Sequence, residues 1–177
     1  MKIAPQDSVK LRRPGRSEMV ILFGVAGQVF AIAAEAVQEI RSTDGLAGSA
    51  VELEHSSLAT VRHFFEREHR NWFVVNAGAH FSLPVTRPTL VLVLRDVRAA
   101  LLVDRIEHMA EIPAIHALPL GFSGEERQWY RGLAYFEDRV IPVIRPEGFL
   151  TAREIAALDQ AAEASHVNRE VQGAVEA

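Results

Sequence analysis

Residues 63–69, "HFFEREH", carry the side chains best suited to metal chemistry. His63 and His69 flank Glu66 and Glu68, so imidazole and carboxylate groups of the kind that hold a metal ion lie close together in the sequence. No HExxH helix or other compact metal-binding spacing is present, and residues six apart in a hairpin usually lie on different strands or faces. We therefore expect solvated or partly buried imidazoles here, with no metal ion and no cofactor.

Paired carboxylates occur at Glu137 and Asp138, and again at Glu66 and Glu68. Acid–base catalysis by two carboxyl groups needs a cleft that drives their pKa values apart, and a hairpin tip is too wet for that. The sequence also lacks a GxSxG elbow and a glycine-rich phosphate loop. We expect neither an enzyme nor a protein with a small-molecule substrate.

The composition narrows the function classes further. The chain has 177 residues, 49% of them hydrophobic, and its net charge of -4 and pI near 6.0 give no general attraction to nucleic acid or anionic lipid. Basic residues gather in residues 1–17, which we interpret as a flexible arm, with a docking tail as the alternative. There is no cysteine, and apolar runs such as "LVLVL" are too short to span a membrane. We expect a cytoplasmic protein without membrane insertion.

Short apolar runs separated by Gly and Pro predict a mainly β fold built from small barrels. "MVILFG" and "VFAIA" form a hairpin around Gly27, and "VQEIRS" follows as a strand in which Val37 and Glu39 share one face. Residues 43–57 carry no clear period and are expected to form a loop. Pro84 and Pro88 mark a midpoint between two subdomains, near residues 82–88.

The second half is expected to begin with a hairpin of "TLVLVLRD" and "AALLVDRI", turning at residues 97–98. Asp104 stands inside the second of these apolar runs, so its carboxylate must face solvent, a partner or a neighbouring donor. A C-terminal α-helix with a frayed tail is predicted over residues 151–177. Thr151 and Glu154 form a capping box there, and Ile155, Leu158 and Ala162 line one face.

A strand-turn-strand unit occurs twice. "RGLAYFEDRVIPVIRPEGFL", residues 131–150, aligns with "VRHFFEREHRNWFVVNAGAHF", residues 61–81, in which the connection is about two residues longer. Two such units predict two subdomains of related architecture.

Three motifs in the same order resemble the CheW-like family of chemotaxis coupling proteins. They are "GLAYFEDRVIPVIRPEGFL", "AVQEIRS" and "ALLVDRIEHMAEIP", and the resemblance covers residues 18–150. The first half departs from the family pattern, because its turn Gly and its Pro are missing and Asn76 replaces an acidic residue. In the second half, Arg145 takes the corresponding acidic position.

The resemblance implies two intertwined five-stranded SH3-like barrels that share a core. It also implies a non-catalytic adaptor between chemoreceptor cytoplasmic tips and a CheA-type histidine kinase. Exposed barrel surfaces would then bind these proteins. The candidate protein-binding residues are Val37, Glu39 and Arg41 on one strand, Glu66, Arg67 and Arg70 at the first hairpin tip, and Asp104.

Four aromatic residues leave a rival function open. Phe64, Phe65, Trp72 and Phe73 would serve as stacking platforms in a small-barrel module that binds oligonucleotides or oligosaccharides. Under the adaptor interpretation, some of them instead enter the core of the first barrel, and Glu66, Arg67, Glu68 and Arg70 form a charged tip. The acidic balance of the chain favours the adaptor.

Overall fold

A computed structural model describes residues 17–175, with side chains described as far as residue 167. The basic arm expected over residues 1–17 therefore lies outside the described residues, except for Ser17. Within the described range the protein is mainly β, as predicted, and ends in one long helix.

The strands and helices follow one another in short elements. The strands are β1 (Glu18–Val25), β2 (Gln28–Ala33), β3 (Val37–Ser42), β4 (Val51–Glu52), β5 (Val61–Arg67), β6 (Arg70–Asn76), β7 (Leu90–Leu94), β8 (Ala99–Val103), β9 (Arg105–Ile112), β10 (Tyr130–Phe136) and β11 (Arg139–Ile144). The helices are α1 (Thr43–Ala47), α2 (Ala77–His80), α3 (Glu126–Trp129) and α4 (Ala152–Val175). Residues 43–57, expected to be a loop, thus contain α1 and β4, and the Ser42 hydroxyl caps α1 by accepting a bond from the Gly45 amide.

The strands form two sheets of the same topology. The terminal sheet has the order β10-β11-β2-β1-β9, and the central sheet has the order β3-β7-β8-β6-β5-β4. Counted from β9 in the terminal sheet and from β3 in the central sheet, the first four pairs of neighbouring strands are antiparallel, antiparallel, parallel and antiparallel. The short β4 adds a sixth strand to the central sheet, where five were expected.

The two sheets exchange chain segments. The chain enters the central sheet after β2 and leaves it at Asp104, so residues 82–88 lie between β6 and β7 of one sheet. The division between the sheets does not fall at that expected midpoint. The second apolar hairpin also differs from its prediction, because "AALLV" ends as β8 and the residues after Asp104 begin β9 of the other sheet.

Both sheets bury apolar side chains on both faces. The largest core lies between the sheets and includes Phe23, Phe30, Leu92 and Leu101. Two smaller clusters lie on the other faces, with Leu22 in the terminal sheet as an example. Burial on both faces explains why β1 reads as the unbroken run "VILF" rather than as an alternating pattern.

The duplicated unit corresponds to the hairpins β5–β6 and β10–β11, which occupy equivalent places in the two sheets. Each turn contains two residues with positive φ, Glu68 and His69 at 51° and 59°, and Glu137 and Asp138 at 46° and 62°. The first connection is therefore not two residues longer. A turn of this shape normally contains Gly or Asn. Because neither residue occurs in these two turns, the sequence did not reveal their length.

Helix α4 closes the fold. The Glu154 carboxylate accepts a bond from the Thr151 amide at 2.6 Å, and the Thr151 hydroxyl accepts one from the Glu154 amide at 3.2 Å, so the predicted capping box is confirmed. Leu158 and Ala162 are fully buried against the shared core, and Ile155 packs beside them. The helix continues to Val175, past the residues where fraying was expected.

Candidate protein-binding surface

In the β5–β6 hairpin, charged side chains at the tip face solvent and the aromatic side chains of the strands are buried. Glu66, Glu68 and Arg70 are exposed, and the Arg67 side chain is 23% exposed. All four aromatic residues are buried, at 0%, 2%, 7% and 0% exposure for Phe64, Phe65, Trp72 and Phe73. The predicted entry of aromatic side chains into the core is confirmed, and none of the four offers an exposed ring on which a base could stack.

Strand β3 and the hairpin are joined by a cluster of charges that we call the first clasp: Glu39, Arg41 and Arg67. The Glu39 carboxylate accepts bonds from Arg41 Nε at 2.7 Å, Arg41 Nη2 at 3.0 Å and Arg67 Nη1 at 3.2 Å. The Arg41 guanidinium lies 6.0 Å from the centre of the Phe65 ring. Hydrogen bonding from Arg41, followed by the charges of both arginines, lowers the pKa of Glu39.

The first clasp has a structural role, because β3 and β5 are not neighbours in the sheet. Its side chains bridge the two strands. Because the ion pairs are half-exposed, each stabilises the fold by only about 1 kcal/mol or less. The clasp also holds Arg67 in place, and Arg67 lies opposite the exposed Arg70 in the hairpin. Three of the seven predicted binding residues are thus brought together directly.

Val37 does not share a face with Glu39, contrary to the sequence prediction. Val37 pairs with Leu94 and Glu39 pairs with Val93, with a register shift between them. This β-bulge turns the two side chains to opposite faces. Val37 is 8% exposed and belongs to the core between the sheets, so it presents almost no surface to a partner.

Asp104 lies apart from the clasp, at the joint where the chain passes from β8 to β9. Its carboxylate accepts bonds from the Ala26 amide and from the Thr86 hydroxyl, both at 2.6 Å. Its own amide donates to the Gly24 carbonyl at 2.9 Å. The sequence allowed the Asp104 carboxylate to face solvent, a partner or a neighbouring donor, and the structure shows neighbouring donors. Asp104 therefore links the exchanged segments of the two sheets.

Sequence reasoning missed a second clasp in the terminal sheet. Glu107 on β9 accepts from Arg105 Nη2 at 2.8 Å and lies 3.5 Å from Arg139 Nη2, at the start of β11. Hydrogen bonding from Arg105, with the charges of both arginines, lowers the pKa of Glu107. The signal was available, since "RIE" and "EIR" each place opposite charges two residues apart on one strand face.

The second hairpin carries an exposed apolar pair next to a tip that is itself charged through Glu137, Asp138 and Arg139. Tyr135 and Val140 stand opposite each other on β10 and β11, with 60% and 53% of their surface exposed. A cross-strand pair of large apolar side chains on an exposed face suits contact with another protein. Sequence reasoning also missed this pair.

The described side chains offer little for metal or acid–base chemistry. Over residues 17–167, no three His, Asp or Glu side chains gather where they could hold a metal ion. His69 reaches Glu66 only at 3.8 Å and is almost fully exposed. No helix in the part of the chain that was searched is long and apolar enough to cross a membrane.

Comparison with known proteins identifies the family. The sequence profile of the CheW-like domain matches residues 19–154, whereas no curated protein matches the chain. The fold is similar to that of the scaffolding protein TtCheW from Thermoanaerobacter tengcongensis, with a TM-score of 0.64 and 13% identity over 77% of this chain and 95% of that one. The family match and the shared fold support a chemotaxis scaffold or adaptor. Because the profile spans well over half of the sequence, the chain belongs to the CheW-like domain family.

Proposed function

We propose that the protein is a cytoplasmic, non-catalytic adaptor that couples chemoreceptor cytoplasmic tips to a CheA-type histidine kinase. The observation that carries the proposal is the family match over residues 19–154, which includes both sheets and the duplicated hairpins. The adaptor would hold receptor and kinase in one assembly, so that a receptor signal shifts the kinase between its active and inactive states.

An adaptor needs two surfaces that can be occupied at the same time. The duplicated hairpins supply surfaces of different chemistry: Glu66 and Arg70 at the first tip, beside the first clasp, and the exposed apolar pair Tyr135 and Val140 next to the second tip. The two hairpins belong to different sheets. We assign one partner to each hairpin, and we expect binding at Glu66 and Arg70 to depend more strongly on ionic strength than binding at Tyr135 and Val140.

The proposal is tested by measuring the binding of the full chain to two probes, a CheA regulatory domain and a receptor cytoplasmic fragment. Arg70→Glu is expected to weaken binding to one probe, and Tyr135→Ser to weaken binding to the other, each by about tenfold or more if the residue is a binding hot spot. Isothermal titration calorimetry at low salt gives both dissociation constants.

Arg62→Glu is the matched control, because Arg62 is an exposed arginine on β5 that lies away from the tip. It makes the same charge change as Arg70→Glu and should leave both affinities unchanged. Failure of the unmodified chain to bind either probe at low salt would contradict the adaptor proposal. A large loss of thermal stability in Arg70→Glu, with unchanged affinities, would show instead that the tip is structural.

A further inference from the structure

A basic pocket lies at the far end of the terminal sheet from the hairpin tip. It has a volume of about 390 Å³ and is lined by Arg127, Arg131 and Arg145, with Gln128, Tyr130 and a short apolar stretch around Leu118. No acidic residue is among its lining residues in the described part of the chain. Its size falls within the range of small-molecule sites in proteins.

Local structure brings the three arginines together. Tyr130 at the start of β10 pairs with Ile144 at the end of β11, so Arg131 and Arg145 flank this pair on neighbouring strands, and both line the pocket. The Arg145 amide then donates to the Trp129 carbonyl at 2.7 Å, which holds α3 and its Arg127 against the same end of the sheet. Backbone hydrogen bonds therefore fix the strand end that carries Arg145 and the helix that carries Arg127.

Two of the guanidinium groups have unused donors. The Arg145 side chain makes no hydrogen bond or ion pair with any residue the structure describes, and Arg127 donates only to the Phe122 carbonyl, at 3.1 Å. Arg131 is already engaged with Glu18 through bonds of 2.6 and 2.9 Å. Since neither of the other two arginines is paired with a carboxylate of the described residues, the pocket is suited to an anion, and Arg127 and Arg145 are its main contacts.

The remaining polar lining also donates hydrogen bonds. Burial, with a smaller effect from the charge of Glu126, raises the pKa of Tyr130, so its hydroxyl keeps its proton at neutral pH. Gln128 adds an amide group. A lining of guanidinium, hydroxyl and amide donors matches the several acceptor oxygens of a carboxylate or phosphate group.

We propose that this pocket binds a small organic anion carrying carboxylate or phosphate groups. Guanidinium forks hold both kinds of oxyanion through paired hydrogen bonds. The anion is a ligand and not a substrate, because Tyr130 stays protonated and the other lining side chains include no nucleophile or general base. This site is separate from both hairpin tips, so the inference goes beyond the adaptor function and does not rest on it.

The test is a titration of the full chain with succinate, citrate, inorganic phosphate and glucose 6-phosphate, each at fixed ionic strength. Calorimetry measures affinity, and the fluorescence of Trp129, which adjoins the pocket, reports local occupancy. Saturable binding of at least one of these probes is expected. The carboxylate and phosphate arms show which oxyanion is preferred, and the neutral compound succinamide should not bind.

Arg127→Gln and Arg145→Gln should each weaken that binding by about tenfold, the usual effect of losing a charge-assisted hydrogen bond. Arg62→Gln removes the same charge from an exposed site on the other sheet and should change nothing. Both pocket arginines are exposed, so the variants should keep the wild-type melting temperature. The proposal is overturned if no anion binds saturably, if succinamide binds equally well, or if Arg62→Gln weakens binding as much as the pocket variants do.

Discussion

Asp104→Ala should destabilise the protein without altering either binding surface. The substitution removes two 2.6 Å hydrogen bonds, from the Ala26 amide and the Thr86 hydroxyl, to a half-buried carboxylate. Bonds to charged groups contribute about 1.5–3 kcal/mol each, and partial exposure favours the lower end, so the loss should be about 3 kcal/mol. Ala26 has a φ of 50° in the β1–β2 turn, and the substitution also removes the hydrogen bond that holds this strained residue in place.

Urea denaturation gives the free energy of unfolding, and calorimetry should show a fall in melting temperature of about 6–12 °C for a chain of this size. Thr86→Ala removes only one of the two bonds and should cost about half as much. Asp104→Asn keeps one acceptor oxygen and should fall between wild type and Asp104→Ala. The reasoning is refuted if Asp104→Ala retains wild-type stability but loses affinity for a partner, since Asp104 would then be a contact residue.

Three further predictions concern stability. Burial, opposed by the charge of Glu154, lowers the pKa of His80 to about 4. Because this pKa lies below the value of about 6.5 in the unfolded chain, protonation of His80 costs no stability above pH 6.5. The free energy of unfolding then falls by up to about 3 kcal/mol as the pH drops toward 4. Urea unfolding at pH 7 and pH 4.5 should show a smaller pH effect in His80→Phe, and an equal effect would exclude His80 as its source. His69→Gly and Asp138→Gly should each raise the free energy of unfolding by about 1 kcal/mol, because both residues have positive φ; a loss of stability in denaturation would contradict this. Gly132→Ala should cost about 3 kcal/mol or more, since a Cβ atom there would lie 2.2 Å from the His116 carbonyl oxygen, and a folded variant with wild-type melting temperature would disprove the clash.

Much of the fold could be predicted from local pattern. Turn residues and apolar runs located the hairpins, and the capping box located the start of α4, because each of these features depends on neighbours in sequence. The exchange of strands between the two sheets could not be predicted in this way. β8 and β9 are separated by Asp104 alone, and no periodicity in "AALLVDRI" shows that the chain changes sheets there.

The candidate site was predicted in outline only. Glu39, Arg41 and Arg67 lie together; "EIR" places Glu39 and Arg41 on one strand face, but the sequence did not indicate that Arg67 joins them. The face of Val37 was mispredicted because a single bulge reverses the alternation of a strand, and the residue pattern does not reveal it. The basic pocket forms where the end of β11 meets α3 and the start of β10, and the whole β10–β11 hairpin separates these residues in the sequence.

The central claim is that this protein joins a receptor to a kinase. Co-sedimentation of receptor-bearing membranes with a CheA-type kinase, with and without the full chain, tests it most directly. We predict that the kinase pellets with the membranes only when the chain is present, and that Arg70→Glu and Tyr135→Ser each reduce the pelleted kinase while Arg62→Glu does not. Kinase recovery that is the same with and without the chain would contradict the account.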